Sequence, residues 1–250
     1  MIELLYLKKY IDEELLRRNK ERDKAHKSSG KLSASVLGNP LQWQILKTIG
    51  VPKKEINGYT ARKFLRGNHV EDWLRDFTPN IVEKEKFVEY RNVVGYIDAL
   101  VDMTGWGIPN ISGTIPHEIK SVTNASFKWI KISGAKKGHL LQACVYAMAL
   151  GKKHFIINYV ASDDYRVKTF LFDVKPYAKE VNEIIDAYDK QIKLGIVPVF
   201  EAKEKWQSNE KYNNYPEFSE LSAAKIKLLL KTKYMKSYDK LLLKGGVSNG

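Results

Sequence analysis

An aspartate in one apolar stretch and a Glu-x-Lys triplet in the next constrain this chain more than any other feature. The first is Gly95-Tyr96-Ile97-Asp98, followed by Leu100 and Val101. The second is Pro116-His117-Glu118-Ile119-Lys120, flanked by Ile115 and Val122. Both stretches read as β-strands. A strand alternates its faces, so Glu118 and Lys120 point one way and Ile119 the other. If the two strands pair, Asp98 joins Glu118 and Lys120 in one small cluster. Two carboxylates and an ammonium facing one cavity make a hard-cation site with a proton handler beside it. Metal-assisted phosphodiester hydrolysis uses such a set.

The rest of the chain supplies the layers around these strands. Strands are expected at 81–90, 92–102 and 114–122, with the loop Thr104-Gly105-Trp106-Gly107-Ile108-Pro109-Asn110 between the last two. A hairpin is expected from His154–Ala161 and Tyr165–Val174 around Ser162-Asp163-Asp164. Helical spacing marks residues 1–27, Thr60 to Phe77, Lys137 to Leu150 and Pro176 to Leu194. Ser33 or Ser35 could cap a further short helix through Leu41 to Ile49. No element is assigned to 123–136. The order predicts an α/β fold, a central mixed β-sheet flanked by helices, with helical N- and C-terminal additions. The expected division is a helical N-terminal region over 1–60 packed on a core of 61–200, then a basic extension over 201–250.

Charge narrows the partners. Lys and Arg number 42 against 29 Asp and Glu, a formal net charge of +13. Nucleic acid is the commonest polyanion that such a balance serves, although a membrane surface or simple solubility also fits it. Cys144 is the single cysteine, which excludes a disulfide framework within the chain and a four-cysteine zinc or iron–sulfur site. No apolar run approaches the roughly 20 residues needed to span a bilayer. The start, Met-Ile-Glu-Leu-Leu with Asp12, Glu13 and Glu14 soon after, lacks a secretory pattern. The expectation is a cytoplasmic protein with no membrane partner.

These pieces resemble the PD-(D/E)xK nuclease superfamily in its RecB-like branch. Gly95-Tyr96-Ile97-Asp98 is similar to the G-x-x-D strand of that branch, and Glu118-Ile119-Lys120-Ser121 to its E-x-K-S strand. Gln142-Ala143-Cys144-Val145-Tyr146 resembles the Q-x-x-x-Y helix, and Arg66-Gly67-Asn68-His69-Val70-Glu71 the G-x-x-x-(H/E) helix. Ser33-Ala34-Ser35 resembles the S-x-S opening common there. The motifs run in order from about residue 33 to 146, and nothing after 175 aligns.

The resemblance implies a restriction-endonuclease-like core and a catalytic set of Asp98, Glu118, Lys120, Gln142 and Tyr146. It implies that Glu71, Asp98, Glu118 and the carbonyl of Ile119 hold one or two Mg2+ or Mn2+ ions. Lys120 would orient or deprotonate the attacking water, or offset charge on the pentacovalent phosphate. Gln142 and Tyr146 would border the site and help hold the DNA and the lysine. The branch's iron–sulfur cluster cannot form with one cysteine, and no P-loop marks a fused helicase. The implied activity is a metal-dependent deoxyribonuclease, an exonuclease at DNA ends or on single strands in phage or bacterial recombination, replication or repair. A structure-specific or restriction-type endonuclease and a catalytically silent DNA-binding module are the alternatives. A recombination or replication partner protein and an oligomer stay open.

Other residues are candidates for the DNA surface. Lys136 and Lys137, before the Gln-Tyr helix, would meet phosphates, and the lysine-rich tail from Lys225 to Lys244 could clamp the backbone. Trp106, between two glycines, could stack on a base or fold onto the core. His117 and His139 could flank the site, with His139 on the DNA side. His69, two positions from Glu71, faces elsewhere on its helix. Asp102 could reach the metal or mark the exit of its strand.

Overall fold

The computed structural model describes residues 5–25, 29–109 and 111–246. The chain opens with helix α1 (Leu5–Ala25), the two-residue strand β1 (Leu32–Ser33), helix α2 (Leu41–Thr48) and helix α3 (Gly58–Phe77). The sheet strands β2 (Ile81–Tyr90), β3 (Val93–Asp102) and β4 (Thr114–Val122) follow. Helices α4 (Asn124–Ser133) and α5 (Lys137–Ala149) lead to β5 (His154–Ala161), β6 (Val167–Asp173) and α6 (Lys175–Lys193). Three short 3-10 turns then precede α7 (Ala223–Lys233) and α8 (Met235–Gly245).

Local chemistry explains several boundaries. Asn57 caps α3 by accepting the Thr60 N–H at 3.0 Å, and Thr78-Pro79 ends the helix. Pro176 sits in the first turn of α6, where its missing N–H costs nothing. Gly151 follows α5 at φ +63°, a left-handed conformation that a glycine adopts without strain.

Six strands form one mixed sheet, in which β2 and β3, β3 and β4, and β5 and β6 run antiparallel. The β4–β5 and β1–β3 pairs are parallel. Neighbouring residues on β5 show the two faces. Phe155, Ile157 and Tyr159 enter the main core, whereas Ile156 and Val160 join smaller clusters on the other side. The main core takes in Trp43 and Ile45 of α2, Leu141 and Val145 of α5, Val181 and Ile185 of α6, and Leu230 and Leu241 of the last two helices. Each fully buried aliphatic side chain there is worth about 1.5–3 kcal/mol of transfer free energy. On the opposite face, Val70 and Leu74 of α3 pack against Ile119 and Val160. The sheet is thus covered by helices on both faces.

The structure corrects three readings. Ser33 and Ser35 do not cap α2, whose N-cap is Pro40; their hydroxyls hydrogen-bond each other at 2.9 Å beside a 3-10 turn. The stretch 124–133 is a helix that the sequence reading left unassigned. Its signal is short: Thr123 accepts the Ser126 N–H, and Phe127 and Ile130 supply an i,i+3 apolar pair. The hairpin's second strand begins at Val167, because Tyr165 takes φ +60° and belongs to the turn. Among the described residues, no helix is long and apolar enough to cross a membrane.

Candidate active site

Strand β3 is shared by two partners along one edge. Val93 and Val94 pair with β1, and Ala99 to Asp102 pair with β4. Gly95 to Asp98 lie between, outside both ladders. On the other edge the ladder with β2 also skips Asp98, running from Lys84–Ala99 to Lys86–Ile97. Glu85, opposite Asp98 in that register, takes φ +52°, a sparsely populated conformation for a residue with a side chain. Ile97 enters the main core and Ala99 the cluster on the other face, so β3 changes faces at Asp98.

Asp98 uses this freedom. Its Oδ2 accepts the backbone N–H of Ile119 at 2.6 Å, one residue beyond Glu118 on β4. A side-chain acceptor thereby continues the strand pairing where the backbone ladder has ended. The hydrogen bond also fixes the Asp98 carboxylate against the Glu118–Lys120 segment. Lys120 donates from Nζ to Glu118 Oε1. Glu118 is 1% exposed, and its Oε2 is buried with no hydrogen-bond partner among the described residues.

Glu71 of α3 completes the cluster from the opposite side. Burial, then a hydrogen bond and repulsion from Asp98, push its carboxyl up to about 8. Burial and the Asp98 charge likewise push Glu118 up to about 8. Burial opposes the Lys120 ammonium, but the Glu118, Asp98 and Glu71 carboxylates outweigh it and raise its pKa. Lys120 is therefore a cation held among three acids. One ammonium cannot neutralise three carboxylates, so the site holds extra protons or attracts another cation.

Among the described residues, no three His, Cys, Asp or Glu side chains already stand as a metal shell. The donor chemistry nevertheless fits a hard divalent ion. The oxygens of Glu71, Asp98 and Glu118 are carboxylate oxygens, and Glu118 Oε2 is an orphaned buried acceptor.

Helix α5 closes the site over the main-core face. Gln142 donates from Nε2 to the Tyr146 hydroxyl at 3.1 Å, and both are buried. Tyr146 fits because residue 95 has no side chain. A Cβ at Gly95 would lie 2.6 Å from the Tyr146 ring and hydroxyl oxygen. Burial and the charge of Glu118 raise the Tyr146 phenol well above its ordinary value. Gly95 of one motif and Tyr146 of another are thus two halves of one contact.

Two polar networks flank these residues. His117, beside Glu118 on β4, is buried against the Asn158 side chain on β5, and burial lowers its pKa to about 4. Its Nδ1 and Asn158 Oδ1 have no hydrogen-bond partner among the described residues. On β5, Tyr159 stands in register with Lys120. Its hydroxyl accepts the backbone N–H of Lys136 at 2.9 Å and shares a hydrogen bond with His139 Nδ1, also 2.9 Å. Burial, then the Lys120 and Lys136 charges, lower His139 to about 3, so it presents a neutral ring. Asn158 and Tyr159 were missed by sequence reading. The one signal was Asn158, a lone polar residue in Phe155-Ile156-Ile157-Asn158-Tyr159-Val160.

The remaining candidates make no side-chain contact with the cluster among the described residues. The Lys136 side chain is exposed, and the Lys137 ammonium is paired with Glu180 on α6. Trp106 is 41% exposed in the loop beyond Asp102. That loop leaves β3 at Asp102, four residues or about 13 Å along the strand from Asp98. The Asp102 carboxylate accepts the Thr104 N–H at 2.9 Å and marks the strand exit. His69 is exposed on α3. Arg75 pairs with Asp72 and with Glu85.

No protein-family model matches this chain, and no curated protein matches it. Among solved structures it is similar to SSO0001, at 14% identity and a TM-score of 0.43 over 72% of this chain and 91% of that one. It is also similar to an alkaline exonuclease, LHK-Exo from Laribacter hongkongensis, at 15% identity and a TM-score of 0.47 over 67% and 92%. The complex of LHK-Exo with dAMP gives 15% identity and a TM-score of 0.47 over 66% and 91%.

Proposed function

We propose that this chain is a metal-dependent deoxyribonuclease of the PD-(D/E)xK type, in the RecB-like branch. It acts as an exonuclease on DNA ends or single strands in recombination, replication or repair. The observation that carries the reading is the Asp98 carboxylate fixed to the Ile119 amide beside the Glu118–Lys120 pair. This unites two motifs read 20 residues apart.

Glu71, Asp98 and Glu118, with the carbonyl of Ile119, would hold one or two Mg2+ or Mn2+ ions. Such an ion supplies Lewis-acid polarisation of a phosphoryl oxygen and makes water more acidic. The chain's own groups do the rest. Lys120, kept cationic by its carboxylate neighbours, offsets charge on the phosphate as it becomes pentacovalent. Glu118 aims that ammonium. Tyr146, held by Gln142 and seated on Gly95, walls the site on one side and limits water there. Asp98 keeps β3 and β4 locked at the point where the substrate would bind. The net charge of +13 draws in the polyanion.

The test compares wild type and Lys120→Ala on end-labelled linear DNA and on covalently closed circles, with Mg2+, Mn2+ or EDTA. Wild type should shorten linear DNA only with the metals, leave circles intact, and lose this activity on substitution. Equal cleavage by both proteins removes the catalytic assignment. Nicked or linearised circles turn the reading to an endonuclease.

A further inference from the structure

Helix α4 links the strand bearing Glu118 and Lys120 to the helix bearing Gln142 and Tyr146. Its inner face is filled, with Phe127 and Ile130 in the main core and the Arg166 guanidinium 5.3 Å over the Phe127 ring. Its outer face is not. Trp129 is 68% exposed and Ile132, one turn on, is 78% exposed. Among the described residues, the Trp129 indole stacks on no other ring and holds no cation. Residues three apart on a helix lie side by side, so the two form one apolar ridge.

Both ends of this ridge are tied to the candidate site. Thr123 caps the start, three residues after Lys120. Past the helix end, Lys136 donates its N–H to Tyr159, the residue in register with Lys120. Ten helical residues span about 15 Å, so Trp129 is carried on a short helix with both ends held beside the strands of the cluster. The surroundings are basic: Lys128 is exposed on the helix, and Lys136 and Lys137 follow it, both exposed. Exposed aromatic and aliphatic surface amid lysines suits the stacked bases and phosphates of an unpaired strand, because every base has a π-face and every phosphate a charge. A protein partner with an apolar face would gain from the ridge but not from the lysines.

We propose that α4 is a single-strand platform, with one base of the substrate stacked on Trp129 and the adjoining phosphates met by Lys128 and Lys136. This rests on the reading of the chain as a DNA enzyme and gives that enzyme its strand preference. The test is fluorescence anisotropy with a fluorescein-labelled oligothymidylate of about 20 nucleotides and a duplex of equal length, in EDTA. Trp129→Ala should weaken oligothymidylate binding by about 5- to 100-fold, and the duplex far less. Trp129→Phe should recover most of the loss. Sedimentation velocity of the same proteins tests for a protein interface. Unaltered oligothymidylate affinity in Trp129→Ala overturns the proposal, as does an equal loss for duplex. Failure of wild type to bind the oligonucleotide also overturns it, and so does loss of self-association as the only effect. Wild type that binds through Trp129 yet cleaves nothing keeps the platform and removes the nuclease reading.

Discussion

Asp98 and Ile119 are joined by a side-chain-to-backbone hydrogen bond of 2.6 Å at the point where the ladder between β3 and β4 stops. The carboxylate has two jobs there: it accepts an amide that the partner strand leaves free, and it brings negative charge to Glu71 and Glu118. The jobs are separable. Asp98→Asn keeps an acceptor for the Ile119 N–H and removes the charge. Its melting temperature should stay close to wild type, while cleavage of end-labelled DNA falls on the order of 100- to 1000-fold. Asp98→Ala should lose, in addition, about 1 kcal/mol of stability. An Asp98→Asn protein as active as wild type would remove the carboxylate from the chemistry.

The Gly95–Tyr146 contact predicts a non-additive pair. A methyl at position 95 meets the Tyr146 ring and hydroxyl at 2.6 Å. Gly95→Ala should cost about 1–3 kcal/mol through overpacking. In a Tyr146→Ala background the same change should cost less than about 0.5 kcal/mol, because the clashing ring is gone. Urea unfolding of the four proteins measures the coupling, and simple additivity would show that the contact does not restrict residue 95.

The acid cluster predicts a pH dependence with a definite sign. Burial and Asp98 raise the folded Glu71 carboxyl from 4.5 to about 8. A group whose folded pKa is raised contributes stability that is present below its unfolded pKa and lost as pH rises through the folded one. The metal-free protein should therefore lose stability between about pH 4.5 and 8. Glu71→Gln should flatten that slope. Added Mg2+ must displace the retained protons, so its stabilising effect should grow across the same window. Melting temperatures from pH 5 to 9, with EDTA or Mg2+, decide it. A metal effect that shrinks as pH rises would contradict the cluster's charge state.

Lys136 and Lys137 should differ. Each phosphate contact contributes roughly one unit to the slope of log affinity against log salt. The Lys136 side chain is exposed, whereas the Lys137 ammonium already pairs with Glu180. Lys136→Ala should reduce the slope by about one unit, and Lys137→Ala by less. Titrations of duplex binding from low to physiological salt give both values. Equal slopes in wild type and both variants would move the DNA path away from the start of α5.

The sheet strands and the longer helices were legible in the sequence because period 2 and period 3.6 patterns report burial directly. Alternation put Glu118 and Lys120 on one face, but the meeting of Asp98 with them followed only on the condition that the two strands pair. Helix α4 was not: its ten residues carry one apolar pair inward, and Trp129 and Ile132 outward blur the periodicity. The Tyr159–Lys136–His139 network was hidden as well, since the parallel register of β4 with β5 depends on how the intervening helices pack.

From the sequence alone came the kinds of element, the acidic and basic residues one strand face would present, and a basic net charge that a polyanion would fit. Those are local or additive properties, set by side-chain alternation and composition. Only the tertiary structure decided that β3 leaves its ladders at Asp98, that Gly95 leaves room to seat Tyr146, and that Glu71 from another layer comes against Asp98. Each depends on through-space contacts between segments far apart in the chain, and no local pattern encodes those.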